Sequence, residues 1–204
     1  MKRKQALTLV VILAIMLPVV TFAEGETGVY TVTEPGISIA LPVGWLNITT
    51  DNMNEINYYA YGLYGAAMIE MMEMNALCVY SLSPDMKASV AVSYEYTGEK
   101  DMAAYSEDEM VKAMDDELES FEEMGFTVLD TSFYSNDLGQ FIRIAAYHPG
   151  DDGIPIDEQY QTEYMSCING YTMMICYVYY DSSFEDAVPS GFESIVDSIA
   201  FTQD

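Results

Sequence analysis

Asn169-Gly170 sits between two long apolar runs, Ile156 to Ile168 and Tyr171 to Tyr180, and this arrangement constrains the fold more than any other stretch. Asn-Gly is the dipeptide best suited to a two-residue hairpin turn, because both central residues must take positive φ to match the twist of the flanking strands. Side chains alternate between the two faces of a strand. Tyr164, Ile175 and Tyr177 therefore share one face of the hairpin, and Met165, Met174 and Val178 share the other. A strand pair that is apolar on both sides must bury both, so the chain needs one layer above this hairpin and another below it.

The rest of the chain supplies the material. Val29 to Thr33 alternates like a strand, Glu34-Pro35-Gly36 turns it, and Ile37, Ile39 and Leu41 repeat at period two over Ile37 to Leu41. Pro42-Val43-Gly44-Trp45 ends that run. Leu77 to Leu82 and Ala88 to Thr97 read as a strand pair split by Ser83-Pro84-Asp85. Phe126 to Tyr134 and Gln140 to Tyr147 flank a turn at Asn136-Asp137, and Ala200 to Thr202 closes the chain as a last strand. Three helices are expected. Asn52 with Glu55 caps one running to about Asn75, with Gly62 and Gly65 in its middle. Ser106-Glu107-Asp108-Glu109 is a capping box ahead of Val111, Met114, Leu118 and Phe121, with Gly125 as the glycine that ends the helix. Ser190-Gly191-Phe192-Glu193 repeats the box before Ile195, Val196 and Ile199. No repeat and no low-complexity linker divides the chain, so an α+β domain built on an antiparallel sheet is expected.

The first 23 residues have a different character. Lys2, Arg3 and Lys4 form a positive head, Ala6 to Val20 an apolar run shorter than an ordinary membrane span, and Thr21-Phe22-Ala23 a small-residue cleavage site. Residues 1–23 are read as a signal peptide and 24–204 as one domain of 181 residues. No cysteine follows the apolar run where a lipid anchor would need one, and no later stretch is apolar enough to span a bilayer. The expectation is a secreted or otherwise extracytoplasmic protein, soluble and not a lipoprotein.

Beyond residue 23 only Lys87, Lys100, Lys112 and Arg143 oppose 33 acidic residues, a side-chain charge of about −29. Such a field repels phosphate backbones and excludes nucleic acid as a partner. It favours solubility, basic partners and loosely held divalent cations. The helix after Ser106 concentrates it, with Asp115, Asp116, Glu119, Glu122 and Glu123 opposite the apolar stripe and acids in the last turn opposing the helix dipole. Either a solvated face or a docking surface for a basic partner accounts for that pattern.

Three cysteines, Cys78, Cys167 and Cys176, are an odd number for an exported domain. The Asn169-Gly170 turn places Cys167 opposite Thr172, and Cys176 lies four residues further along, roughly 13 Å away. Those two cannot bridge directly. Cys78 on a neighbouring strand is left to pair with Cys167 or with Cys176, or all three are buried small hydrophobes.

Candidate sites are sparse. Trp45 is either a ligand platform or a large aromatic closing one end of the core. Met68, Met71, Met72 and Met74 have a spacing that suits thioether ligands to copper(I), but no histidine or cysteine completes the set, and packing onto the sheet is the plainer role. Asp151, Asp152 and Asp157 crowd a loop and invite a calcium reading, although the twelve-residue spacing of an EF-hand is absent. The sole histidine, His148, stands beside Pro149 at a strand end and is read as a surface residue. No nucleophile elbow, phosphate-cradling glycine loop or zinc pattern accompanies it. A non-catalytic binding module for a protein, peptide or glycan, with no cofactor, is the leading expectation. The alternatives are a secreted hydrolase whose carboxylate pair assembles only in three dimensions, and an extracellular divalent-cation binder.

Two stretches, Ile37-Ser38-Ile39-Ala40-Leu41-Pro42-Val43-Gly44-Trp45 and Phe192-Glu193-Ser194-Ile195-Val196-Asp197-Ser198-Ile199-Ala200-Phe201, resemble the opening strand-and-Trp turn and the closing helix-strand of the PsbP-like family. That family comprises the extrinsic oxygen-evolving photosystem proteins and bacterial relatives that include small exported proteins. The Asn169-Gly170 hairpin ahead of the last helix fits the same plan. The resemblance implies an antiparallel sheet with helices packed on both faces, an α/β/α sandwich, and a binding or assembly role without catalysis.

Overall fold

A computed structural model describes residues 27–33, 36–53, 70, 72–74, 76–85, 87–150, 158–180 and 190–202. The expected leader, most of the helix expected over 52–75 and the loop carrying Asp151, Asp152 and Asp157 lie outside the described residues. Ten strands and two α-helices are described: β1 (Thr27–Val32), β2 (Ile37–Pro42), β3 (Leu46–Thr49), β4 (Leu77–Leu82), β5 (Ala88–Tyr96), α1 (Glu107–Glu123), β6 (Thr127–Asn136), β7 (Gly139–His148), β8 (Gln159–Ile168), β9 (Tyr171–Tyr179), α2 (Ser190–Asp197) and β10 (Ala200–Phe201). A turn of 3-10 helix at Met102–Ala104 precedes α1.

The strands form two antiparallel sheets, one ordered β1-β2-β10 and one ordered β3-β4-β5-β9-β8-β7-β6. The β8-β9 hairpin lies inside the large sheet with a neighbour on each side, so all its backbone groups can be paired. Asn169 and Gly170 both take positive φ, 54° and 82°, and the register places Cys167 opposite Thr172 as the turn demands.

Each face of the hairpin has its own core. Tyr164, Ile175 and Tyr177 join Val90, Val92 and Phe141 in a cluster with Ile37, Ile39 and Leu41 of β2 and Phe192, Ile195 and Val196 of α2. Met165 and Met174 instead pack with Ile142, Ile144 and Met110 and Phe121 of α1. A third cluster gathers Ile48, Met72, Leu77, Tyr80 and Leu82 at the other end of the large sheet. The outer layer over the first face is thus shared between α2 and a second, three-stranded sheet. A sandwich of helices alone was expected there. The reason lies in β2, whose Ile37, Ile39 and Leu41 all point inward at 0% exposure while β1 and β10 pair with its two edges.

Helix α1 starts as its sequence dictates. Ser106 accepts from the Glu109 amide, and the Glu109 carboxylate accepts in return from the Ser106 amide, a reciprocal cap. Gly125, at φ 87°, lies just past its end.

Strand β3 was not foreseen. Its four residues carry no clear alternation, and buried polar contacts hold the segment: Asn47 donates to Tyr30 Oη at 3.0 Å and to the Pro42 carbonyl at 3.1 Å, and Ser81 Oγ donates to Asn47 Oδ1. Asn52, read as a helix cap, directly precedes helical Met53 and also ties back to β3, with its Oδ1 accepting from the Thr49 amide and its Nδ2 donating to the Asn47 carbonyl; its expected partner Glu55 lies outside the described residues.

Candidate functional site

At the end of the sheet where the Asn169-Gly170 turn lies, β5 and β9 finish side by side with aromatic residues in register, Tyr96 opposite Tyr171. Tyr94 stacks on Tyr171 with ring centroids 4.4 Å apart and planes 7° from parallel. Tyr96 meets Tyr171 edge-on at 5.2 Å, and Phe201 of β10 lies 6.3 Å from Tyr94. These separations fall in the favourable range for paired aromatic quadrupoles. Tyr96 remains 69% exposed, so the row presents one open ring on a rigid support.

Backbone geometry holds this platform. Thr97 and Gly98 both donate their amides to the Gly170 carbonyl, at 3.0 and 2.8 Å, and Asp101 Oδ1 accepts from the Asn169 amide at 2.5 Å. A methyl group on Gly170 would lie 3.1 Å from the Tyr96 ring, so this glycine serves both the turn and the approach of the tyrosine. Burial raises the Tyr94 phenol above its ordinary value, with Tyr171 adding to it.

The candidates read from sequence are placed as follows. Trp45 is half-buried and packs against the first-face core. His148 is buried, not on the surface as expected. Its ring meets Phe126 edge-on at 5.0 Å, and its Nδ1 accepts from the Gly150 amide at 3.1 Å. The signal was Gly125, whose missing side chain leaves the room that His148 Nε2 fills. Met72 is buried and packs beneath the large sheet, the packing role anticipated for it, whereas Met74 is exposed. Asp151, Asp152 and Asp157 are outside the described residues.

The cysteines are free thiols. Cys78 belongs to the first-face core and Cys167 to the α1 core, while Cys176 borders the third cluster, so the three are divided among different cores. Of the two sequence readings, pairing of Cys78 with Cys167 or Cys176 fails for that reason; all three are buried or half-buried apolar groups. Burial pushes the Cys78 thiol up to about 12.

One carboxyl escaped sequence reasoning. Glu163 on β8 is 2% exposed, and burial, reinforced by Glu117 of α1, pushes its pKa up to about 8. Gln161 Nε2 donates to it at 3.3 Å. Alternation alone could have flagged it, since Gln161 and Glu163 share the face of Met165. A second polar group closes the opposite face: Tyr134 Oη donates to Asp197 of α2 at 2.5 Å, and Arg143 donates to Asp130 at 2.5 Å.

These elements define a PsbP-like fold, mostly antiparallel sheet with few helices. Cyanobacterial PsbP (CyanoP) from Synechocystis sp. PCC 6803 matches over 91% of this chain and 97% of its own, at a TM-score of 0.53 and 10% identity. The Ran-binding protein Mog1p of Saccharomyces cerevisiae matches over 87% of this chain and 96% of its own, at a TM-score of 0.52 and 9% identity. At such identities the likeness is one of fold. No family model matches the sequence, and no curated protein does. Among the described residues no helix is long and apolar enough to cross a membrane.

Proposed function

We propose that residues 24–204 form an exported, non-catalytic binding module that engages a peptide, glycan or protein partner through the tyrosine platform. The observation carrying this reading is Tyr96, whose ring stands 69% exposed at the end of the stacked Tyr94–Tyr171 row. An exposed tyrosine combines a large apolar surface with a polar tip and loses little side-chain freedom when it binds, because its neighbours already hold it. Mog1p, with the same fold, is a Ran-binding protein, which agrees with a protein partner.

Other described groups favour a structural role. His148 is committed to Phe126 and Gly150, and Glu163 is enclosed where a substrate does not reach it. The test is a thermal-shift screen of the mature protein against glycans, cell-wall fragments, peptides and divalent cations, repeated on Tyr96→Ala. A shift with an organic ligand that the substitution abolishes supports the proposal. A cation-specific shift that survives moderate salt, indifferent to Tyr96, would replace it with the cation-binding alternative.

A further inference from the structure

Strand β6 ends the large sheet, and among the described residues no strand pairs with its outer edge. It is ten residues long, against four for β3 at the opposite edge. Sheet edges are ordinarily protected by lysine, proline, brevity or a bulge, because alternate N–H and C=O groups point outward unpaired. The sequence TVLDTSFYSN has neither lysine nor proline, and its single charge, Asp130, is held by Arg143. A bulge does occur, between Val128 and Asp130, but from Thr131 to Asn136 the register with β7 is unbroken. Six regular residues of open edge remain.

Apolar side chains line this edge. Phe133 is 51% and Leu129 57% exposed. On helix α1, Met110, Met114 and Phe121 face the sheet, and Glu117 is turned toward Glu163 on β8. Asp115, Asp116, Glu119 and Glu122 are exposed on this helix, which lies over β6 and β7. Acids bracket the strand on its other side too, since Asp197 of α2 meets Tyr134 and Asn136.

We propose that the Thr131–Asn136 edge is a strand-addition site for an extended, lysine- or arginine-bearing segment of a partner protein. Main-chain hydrogen bonds would supply the pairing, Phe133 an apolar contact, and Asp197 with the exposed acids of α1 the preference for positive charge. A second copy of this chain is disfavoured as occupant, because each would bring about −29 charges to the contact. This rests on the binding-module reading but uses a surface separate from Tyr96.

The probe is a blocked ten-residue peptide alternating lysine with valine, titrated into isotopically labelled mature protein at low salt while amide resonances are followed. Shifts are expected at Thr131–Asn136. Phe133→Lys should weaken binding about fivefold or more, Phe133→Leu should retain it, and raised salt should weaken it. Tyr96→Ala should leave it unchanged, so loss of platform binding and loss of edge binding are read separately. The proposal is overturned by shifts elsewhere or none, by equal binding of an aspartate–valine peptide, or by β6 shifts that grow with protein concentration alone, which would identify a second copy as the occupant.

Discussion

Glu163 on β8 and Cys176 on β9 lie directly opposite one another inside the large sheet, a carboxyl facing a thiol with Ile144 and Ala91 completing the row. Neither group ionises easily there. Burial raises both; Glu117 of α1 adds to the rise at Glu163, and Glu163 in turn adds to the rise at Cys176.

The consequence is a pH-dependent stability of definite sign. The folded pKa of Glu163 is raised to about 8, above the ordinary 4.5 of the unfolded chain. Below pH 4.5 both states hold the proton and nothing is lost. Between 4.5 and 8 only the unfolded chain releases it, so stability falls as pH rises and levels off above 8, by an upper figure on the order of 3 kcal/mol at pH 7. Glu163→Gln should match the parent near pH 4 and melt at higher temperature at pH 8. Parallel melting curves from pH 4 to 8 would contradict this.

The thiols should be hidden until the chain unfolds. Cys78 is held up at about 12 by burial, and no disulfide joins it to Cys167 or Cys176. A thiol-specific chromophore added to the folded protein should react slowly, and denaturant should release all three. Only one reactive thiol in denaturant would mean that a disulfide forms after all.

Gly125→Ala should destabilise the protein by about 1–3 kcal/mol. The residue sits at φ 87°, and the added methyl would lie 3.2 Å from His148 Nε2. If His148→Ala is made as well, the steric part of the loss should shrink while the backbone part persists. Chemical denaturation of the two variants separates the contributions, and equal losses in both backgrounds would remove the steric role.

At the other end of α1, Ser106→Ala should lower stability by about 1 kcal/mol by opening the capping box. The Glu109 carboxyl is held down at about 2 by Lys100, 2.7 Å away, and then by Ser106. Its NMR titration midpoint should therefore move up in the variant. A midpoint that stays in place would show that the Ser106 hydroxyl adds nothing to Lys100 and the residue-106 amide.

Much of the fold was legible where local chemistry agrees with the tertiary outcome. Asn169-Gly170, the Ser106 box and Gly125 each encode a backbone conformation in one to four residues, and each is found in place. The two-sided pattern of Tyr164, Ile175 and Tyr177 against Met165, Met174 and Val178 required two layers, and both are present. Strand β3 was hidden because Asn47 gains its burial from distant Tyr30 and Ser81, which no window of sequence brings together. His148 was misread for the same reason, since Phe126 and Gly125 enclose it from across a strand pair.

Taken alone, then, the amino-acid order set most of the order of elements, β3 aside, the turn geometries and the surplus of negative charge, because these depend on neighbours along the chain and on counting. Tertiary structure decided that β1, β2 and β10 make a separate sheet, that the cysteines divide among three cores, that Glu163 is enclosed and that no strand among the described residues pairs with the outer edge of β6. Those outcomes depend on which residues far apart in the chain come to exclude water from one another, and alternation within a strand says only that a face is buried, never against what.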